Sequence, residues 1–329
     1  MASHTGARNP RDLRSCWLTA AALGGLVWAA GVAILWPGED AEARSLAEVE
    51  LLLSPLALLP LAVALIEPTM HSRGWRFAAW FQLPTATILL VAIALPPGPL
   101  AAMLAFPWLT LTSLIALLGL ASLFDRTKRT PSGFAISAGL MYVAVGGAWT
   151  FASRLGRGFE EPLVLLTGAH FHYAGLLLPI LVGLGTRAVP GKTANLTCIL
   201  VIVAVPAVAL GITLASQEYY LPELVGALLM TVAGILAGIL QLRLAVHASS
   251  PLPCGLFAFS GVSLIVGMIL AAAYAIGNYA ERIGHSYGGW LTIPLMIRYH
   301  AAINVFGYAL PGLLAWLVSA DPKSGQGGC

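Results

Sequence analysis

Ten stretches of about 20 mainly apolar residues run through the chain, and they limit its possible folds more than any other feature. A helix needs about 20 such residues to cross the hydrocarbon core of a bilayer. Because lipid offers the backbone no hydrogen bonds, repeated stretches of this length favour a bundle of spanning helices. Composition agrees, since only 9% of the 329 residues are charged, against about 25% in typical soluble domains. The sequence therefore predicts an all-α, polytopic transmembrane helical bundle.

The predicted spans follow one another closely. They cover residues 16–36, 46–66, 75–95, 100–124, 134–151, 162–184, 194–215, 221–242, 254–276 and 290–318. Only Pro96-Pro97-Gly98-Pro99 separates the third span from the fourth, as either a tight turn or a break within a re-entrant pair that leaves nine spans. Residues 16–320 are thus predicted to form one transmembrane domain. A cytoplasmic segment over 1–15 precedes it, and a short, disordered cytoplasmic tail over 321–329 follows it.

The positions of the basic residues predict the orientation of the chain. Cytoplasmic loops carry an excess of Lys and Arg, and a cytoplasmic N-terminus assigns twelve of the 17 Lys and Arg residues to that side. The outer side receives Arg44, Arg154, Arg157, Arg282 and Arg298. With ten spans, both termini are cytoplasmic. All four cysteines then lie towards the reducing side, so we expect no disulfide.

Three predicted spans, the second, sixth and tenth, carry polar side chains at membrane depth. Ionisable groups are costly there, so each is a candidate for a functional site. The residues are Glu48, Glu50, Thr167, His170, His172, Tyr173, Arg298, His300 and Asn304. At a rise of about 1.5 Å per residue, the histidines and Arg298 lie about 10–15 Å below the outer boundary. We therefore expect His172, His300 and Asn304 to line one cavity.

The two histidines of the sixth span cannot point to one place in a regular helix. At 100° per residue, His172 shares a face with Gly175 and Pro179, whereas His170 projects about 160° away beside Tyr173. The two histidines therefore have different roles, or the helix is distorted.

A common spacing links the sixth and tenth spans. In both, a polar residue is followed by Gly and then Pro, as His172-x-x-Gly175-x-x-x-Pro179 and Asn304-x-x-Gly307-x-x-x-Pro311. Either an ancient repeat or the frequent use of Gly and Pro in spanning helices explains it.

Segments of the same three spans resemble the YndJ-like family of bacterial membrane proteins. The run from Leu166 to Gly175, with Thr167-Gly168-Ala169-His170-Phe171-His172-Tyr173 inside it, is similar to the family signature. The stretch Glu50-Leu51-Leu52-Leu53-Ser54-Pro55-Leu56 resembles the early helix, and His300-x-x-x-Asn304-x-x-Gly307 the late His/Asn helix. The resemblance implies a multi-pass bacterial membrane protein, which we place in the cytoplasmic (inner) membrane. It implies no particular activity.

Each polar residue also has a structural interpretation. His170 and His172 can form interhelical hydrogen bonds that stabilise packing, or they can act as a ligand or proton-transfer pair. Arg298 can extend to the outer surface, bind an anion, or pair with Glu48 or Glu50. Glutamates near a helix N-terminus also stabilise the helix dipole. The sequence leaves these alternatives open.

The favoured hypothesis is an integral membrane enzyme that acts on a lipophilic, isoprenoid- or lipid-like substrate by acid–base chemistry, as an isomerase or cyclase does. Such a site needs a proton donor, a proton acceptor and a dry pocket. The predicted catalytic residues are His170, His172, Tyr173, His300 and Glu50. The residues predicted to bind the substrate, by orienting a polar head or stabilising negative charge, are Arg298, Asn304 and Thr167.

Two other classes of function remain open. One is a metal or haem redox protein with His170, His172 and His300 as ligands, although the cysteines lack zinc-site spacing, no carboxylate or cysteine completes a recognisable ligand set, and the sequence does not identify a cofactor. The other is a small-molecule transporter, for which Gly- and Pro-interrupted spans are suitable, although the polar groups show no evident path to the cytoplasm. Phosphate-binding, zinc-protease and nucleophile-elbow motifs are absent from the sequence. Its thinly spread basic residues do not indicate nucleic-acid binding, so the predicted partners are the lipid bilayer and a lipophilic small molecule.

Overall fold

A computed structural model of the chain describes residues 11–35, 43–66, 72–156, 163–286 and 291–319. Within these ranges every regular element is helical, and ten helices are long and apolar enough to cross a membrane. The predicted all-α, ten-span fold class is therefore confirmed. Residues 1–10 and the predicted tail over 321–329 lie outside the described ranges. The side of the membrane on which each terminus lies stays a prediction.

Most of the helices are longer than the apolar stretches that predicted them. They are α1 (Arg11–Leu35), α2 (residues 43–66), α3 (Arg73–Ala94), α4 (Pro99–Ser122), α5 (Pro131–Leu155), α6 (Leu163–Ala188), α7 (Lys192–Ala215), α8 (Tyr220–Val246), α9 (Pro251–Arg282) and α10 (Ile293–Ser319). Polar caps account for the extra turns. In α5, the Thr130 side chain accepts from the Gly133 N–H and Pro131 takes the first helical position, while Gly156 with φ 67° ends the helix.

The proline-rich segment between the third and fourth spans is a tight turn. Helices α3 and α4 have 22 and 24 residues, so each is long enough to span. The backbone N–H of Gly98 donates to the carbonyl of Arg154 at 2.8 Å, which fastens the turn to the end of α5. The arrangement corresponds to two spans rather than a re-entrant pair.

Helices α2, α6 and α10, the three that carry the polar residues, each contain π-helical turns. These cover Ser54–Leu58 in α2, Phe171–Leu177 in α6, and Met296–Ala301 with Ile303–Ala309 in α10. In each helix a leucine N–H donates to the carbonyl five residues earlier and a proline follows directly: Leu59 to Ser54 before Pro60, Leu178 to Tyr173 before Pro179, and Leu310 to Val305 before Pro311. Short π-helical turns are rare and frequently occur at functional sites.

Proline explains part of this geometry. A proline ring clashes with the carbonyl four residues earlier in a regular α-helix, and the wider π-helical turn moves that carbonyl away. Proline alone is not sufficient, because Pro84, Pro107 and Pro206 lie within α3, α4 and α7, which remain α-helical.

The three helices with π-helical turns also contact one another, and α2 and α6 are the most buried helices of the bundle. In α2, 89% of the most apolar stretch is buried, and in α6 61%, against 22% in α1. The π-helical turn of α6 contacts that of α2 and the second one of α10, while the first half of α2 contacts the first π-helical turn of α10. The fold therefore brings the polar residues of three distant segments into one region.

Candidate functional site

His172 is fully buried, and both of its ring nitrogens are hydrogen-bonded. Its Nδ1 lies 2.8 Å from the carbonyl oxygen of Gly168, and its Nε2 lies 3.1 Å from the indole nitrogen of Trp108 in α4. A carbonyl only accepts and an indole N–H only donates, so the ring is neutral with its proton on Nδ1. These contacts favour the packing alternative for His172, because neither nitrogen remains for a ligand.

Small residues make room for this buried histidine. A Cβ on Gly146 of α5 would lie 2.7 Å from Nδ1 of His172, so glycine is needed there for α5 to pack so closely. On the other side, the Ser54 hydroxyl of α2 lies 3.5 Å from the His172 carbonyl oxygen. His172 therefore joins α6 to α4 and α5 at the start of the π-helical turn.

His170 is the histidine of α6 that lies near α10. It is close enough to His300 for the charges of the two rings to interact. Its Nε2 atom is buried and has no hydrogen-bond partner among the described residues. The sequence predicted that His172 faces His300 and Asn304. In the structure His172 instead points to Trp108 of α4, and His170 is the histidine near His300 of α10.

His300 and Asn304 form a connected pair against α9. Nδ1 of His300 donates to the carbonyl of Gly267 at 2.8 Å, which leaves the lone pair on Nε2. The Asn304 amide nitrogen donates to the His300 carbonyl at 2.7 Å and lies 3.4 Å from Nε2. The Asn304 Oδ1 atom is buried without a partner in the part of the chain that the structure describes. A polar ligand or a water molecule would satisfy it.

Glu50 and Tyr173 connect α2 to α6. The Tyr173 hydroxyl donates to the backbone carbonyl of Glu50, and the Glu50 carboxylate is close enough for its charge to act on Tyr173. Glu50 is only 6% exposed. Thr167, by contrast, donates to the Leu163 carbonyl of its own helix at 2.8 Å. Tyr173 and the buried Glu50 therefore fasten α2 to α6.

Arg298 lies apart from these groups. Its side chain is exposed near the N-terminal end of α10 and forms no ion pair with any described residue. This placement favours extension to the membrane surface over pairing with a glutamate.

Arg154 of α5 is the partner of Glu48, and the sequence analysis missed this pair. Its guanidinium is fully buried and donates to Glu48 Oε1 at 3.4 Å, to the Ile93 carbonyl at 3.2 Å and to the Ser153 hydroxyl at 3.1 Å. The predicted fifth span ended at Phe151 and put Arg154 in a loop. A basic residue just before a helix-ending glycine was the available signal, because cations favour a helix C-terminus.

The proposed metal ligands do not converge in the described ranges. No group of three or more His, Cys, Asp or Glu side chains there could hold a metal ion. His172 uses both nitrogens within the protein, which leaves His170 and His300 as the histidines with an available ring nitrogen.

The fold and the buried ionisable groups define the class, a polytopic α-helical membrane protein. The sequence matches the YndJ-like protein family over residues 49–308, which include all of α6 and most of α2 and α10, so the chain belongs to that family. It is 26% identical over 216 residues to a Bacillus subtilis (strain 168) protein described as "Uncharacterized membrane protein YndJ". The alignment covers 64% of this chain and 37% of that relative, so the chain spans well under half of the relative's length. No solved structure matches the chain.

Proposed function

We propose that the chain is a membrane enzyme that acts on a lipophilic, isoprenoid- or lipid-like substrate by acid–base chemistry, of the isomerase or cyclase type. The observation that carries the proposal is the approach of His170 to His300, where His170 Nε2 and Asn304 Oδ1 are buried and have no partner among the described residues. Buried polar atoms are nearly always hydrogen-bonded. Such atoms beside two imidazoles mark a place for another molecule.

The two histidines suit complementary roles. Moving a double bond requires a proton on one carbon and removal of a proton from another, which two imidazoles can do in turn. The hydrogen bond from His300 Nδ1 to Gly267 orients the ring and leaves Nε2 as the proton acceptor. His170 is the donor, and Asn304 orients the substrate. Glu50 is a further group able to exchange protons, and Tyr173 positions α2 against α6.

The substrate would lie with its apolar part in the bundle and its polar end near the outer surface. Arg298 is exposed at that end of α10 and suits a polar or anionic head group. We assign the protein to the cytoplasmic membrane of a bacterium with both termini cytoplasmic, because the basic residues follow the positive-inside rule.

Deuterium incorporation tests the proposed chemistry without knowledge of the substrate. The purified protein in lipid nanodiscs is incubated in D2O with isoprenoid and phospholipid extracts, and the lipids are analysed by mass spectrometry. We expect a deuterium-labelled species that His170→Ala and His300→Ala each reduce by about 10²-fold or more, the usual contribution of a general acid or base. His247→Ala is the matched control, because His247 is exposed at the far end of α8.

Two outcomes would count against the proposal. One is the absence of label with the wild-type protein in every extract, and the other is equal labelling by wild type and His300→Ala. The metal content and visible spectrum of the same preparation decide the metal or haem alternative.

A further inference from the structure

Basic side chains gather at the end of the bundle where α3 begins. Arg73 and Arg76 lie in the first turn of α3, both are exposed, and neither forms an ion pair with any described residue. A Cβ on Gly74 would lie 2.8 Å from a methyl carbon of Leu118, so this turn packs closely on the last turns of α4. The two arginines therefore lie at the same end of the bundle as the loop that follows α4.

That loop adds three basic residues to this end, namely Arg126, Lys128 and Arg129. Together with the two arginines of α3, they make up five of the twelve Lys and Arg residues predicted on the cytoplasmic side. The one carboxylate within residues 72–82 and 118–131 is Asp125, and it pairs with Lys128 at 3.6 Å. The other four positive charges have no carboxylate partner from these segments.

Exposed aromatic side chains continue from the arginines along the same face of α3. Phe77, Trp80 and Phe81 are 53%, 73% and 47% exposed, and the rings of Phe77 and Phe81 stack with centroids 4.3 Å apart. At 100° per residue, these three residues and the two arginines fall within about 140° of one another. Phe77 and Phe81 lie about 6 and 12 Å from Arg73 along the helix axis. One face of α3 thus changes from charged to aromatic within about two turns.

We propose that this face of α3, together with the loop after α4, binds an anionic phospholipid of the surrounding bilayer. The lipid phosphate accepts hydrogen bonds from the guanidinium groups of Arg73 and Arg76, for which their planar donors are suited. The acyl chains lie along Phe77, Trp80 and Phe81. Clusters of Lys and Arg beside a spanning helix recognise anionic head groups in this way. A soluble acidic protein matches the charge but cannot reach aromatic side chains at membrane depth.

This lipid is distinct from the proposed substrate of the histidine site. The turn of α10 that carries Arg298 contacts the first half of α2, whereas α3 begins after α2 has crossed the bundle. The two sites therefore lie at opposite ends of α2. Because the lipid site uses none of the residues assigned to catalysis, it stands even if the proposed enzyme activity fails.

Native mass spectrometry of the full chain tests the proposal, with phosphatidylglycerol, cardiolipin or phosphatidylcholine added to the protein in detergent. We expect the wild type to bind the two anionic lipids about tenfold or more tightly than phosphatidylcholine, since each basic residue near an anionic head group contributes about fivefold in affinity. Arg73→Gln combined with Arg76→Gln should remove most of this preference. Lys192→Gln combined with Arg243→Gln is the matched control, because it removes two charges from the same predicted side of the membrane and should retain the preference.

Three results would overturn the proposal. They are equal binding of anionic and zwitterionic lipids by the wild type, an equal loss in the control variant, and displacement of the bound lipid by inorganic phosphate, which would indicate an anion site without a lipid.

Crosslinking of the wild type decides the question even if the arginine variant fails to accumulate. Phosphatidylglycerol with a photoactivatable acyl chain should label residues 77–81 more than the lipid-facing residues of α7 and α9. Labelling spread evenly over the exposed faces of these helices would refute the site.

Discussion

The histidines at membrane depth differ in how many ring nitrogens the protein already uses. Both ring nitrogens of His172 are hydrogen-bonded, to Trp108 and Gly168, whereas His170 has a buried Nε2 with no partner in the described ranges. In His300, Nδ1 donates to the Gly267 carbonyl and the lone pair remains on Nε2. The same side chain therefore supports packing at one position and chemistry at two others, and hydrogen bonding decides which.

His172→Ala should lower stability more than it lowers activity. The change leaves the Trp108 N–H and the Gly168 carbonyl buried without this partner, at a cost of about 1–3 kcal/mol each. Thermal unfolding of the purified protein measures the loss, with His247→Ala as the control. A double-mutant cycle with Trp108→Phe should show a coupling of about 0.5–3 kcal/mol. Additive effects of the two changes would argue against the Trp108–His172 bond.

Glu48→Gln should destabilise the end of the bundle where α2 begins and α5 ends. Removing one partner of a buried ion pair costs about 3–5 kcal/mol, and the lower end applies because the Glu48 side chain is 19% exposed. Arg298→Ala, at an exposed arginine, should change stability by less than about 0.5 kcal/mol. Unfolding in denaturant gives the free energy of unfolding of both variants. Equal losses would show that the buried Glu48–Arg154 pair contributes no more to stability than the exposed Arg298 does.

Among the secondary-structure elements, α2 shows how a π-helical turn alters the hydrogen bonds around it. Leu59 donates to Ser54, and the next residue is Pro60, which has no N–H. The carbonyl of Pro55 is thereby left without a donor from its own helix. The side chain of Gln82 in α3 supplies that donor and is itself fully buried. A distortion in one helix thus specifies a glutamine in its neighbour.

Gln82→Leu should therefore destabilise the protein by about 1–3 kcal/mol, because the Pro55 carbonyl becomes an unsatisfied buried acceptor. Pro60→Ala restores a backbone N–H in α2, so it should reduce the cost of the Gln82 change when the two are combined. Unfolding midpoints of the single and double variants measure this. The prediction fails if Pro60→Ala gives no rescue.

The whole molecule is organised around α2 and α6, whose contacts reach most other helices. Their burial leaves the remaining helices to cover them and to face lipid. Most polar groups that the proposed function uses lie in this centre or where α10 packs on α9, whereas Arg298 is exposed. The side of the membrane that these groups face depends on the orientation of the bundle, which the basic residues alone predict.

Cysteine labelling tests that orientation. In a background with the native cysteines replaced by serine, Ser286→Cys should react with a membrane-impermeant maleimide added to intact cells. Ser249→Cys should react only after the membrane is opened, because the positive-inside rule places it in the cytoplasm. Both serines are exposed, so failure to label cannot be due to burial of the side chain within the protein. Labelling of Ser249→Cys but not Ser286→Cys in intact cells would show that the topology is the opposite of the predicted one.

Apolar length and the positions of polar residues were enough to predict ten spans, with nine left as the alternative, and the three helices that carry the candidate site. The reason is physical, because lipid forces long apolar helices and makes every buried polar group costly. The prediction missed the last turn of α5, which contains Arg154, because that helix end is set by a capping glycine that hydropathy does not measure.

Only the tertiary structure decided which side chains meet. A helical projection assumes about 100° per residue, and the π-helical turns of α2, α6 and α10 change that angle next to the polar residues. The decisive partners are also remote, since Glu50 and Tyr173 are 123 residues apart in the chain. Whether His172 packs against Trp108 or faces His300 depends on how three helices dock, and that is a property of packing that no single helix carries.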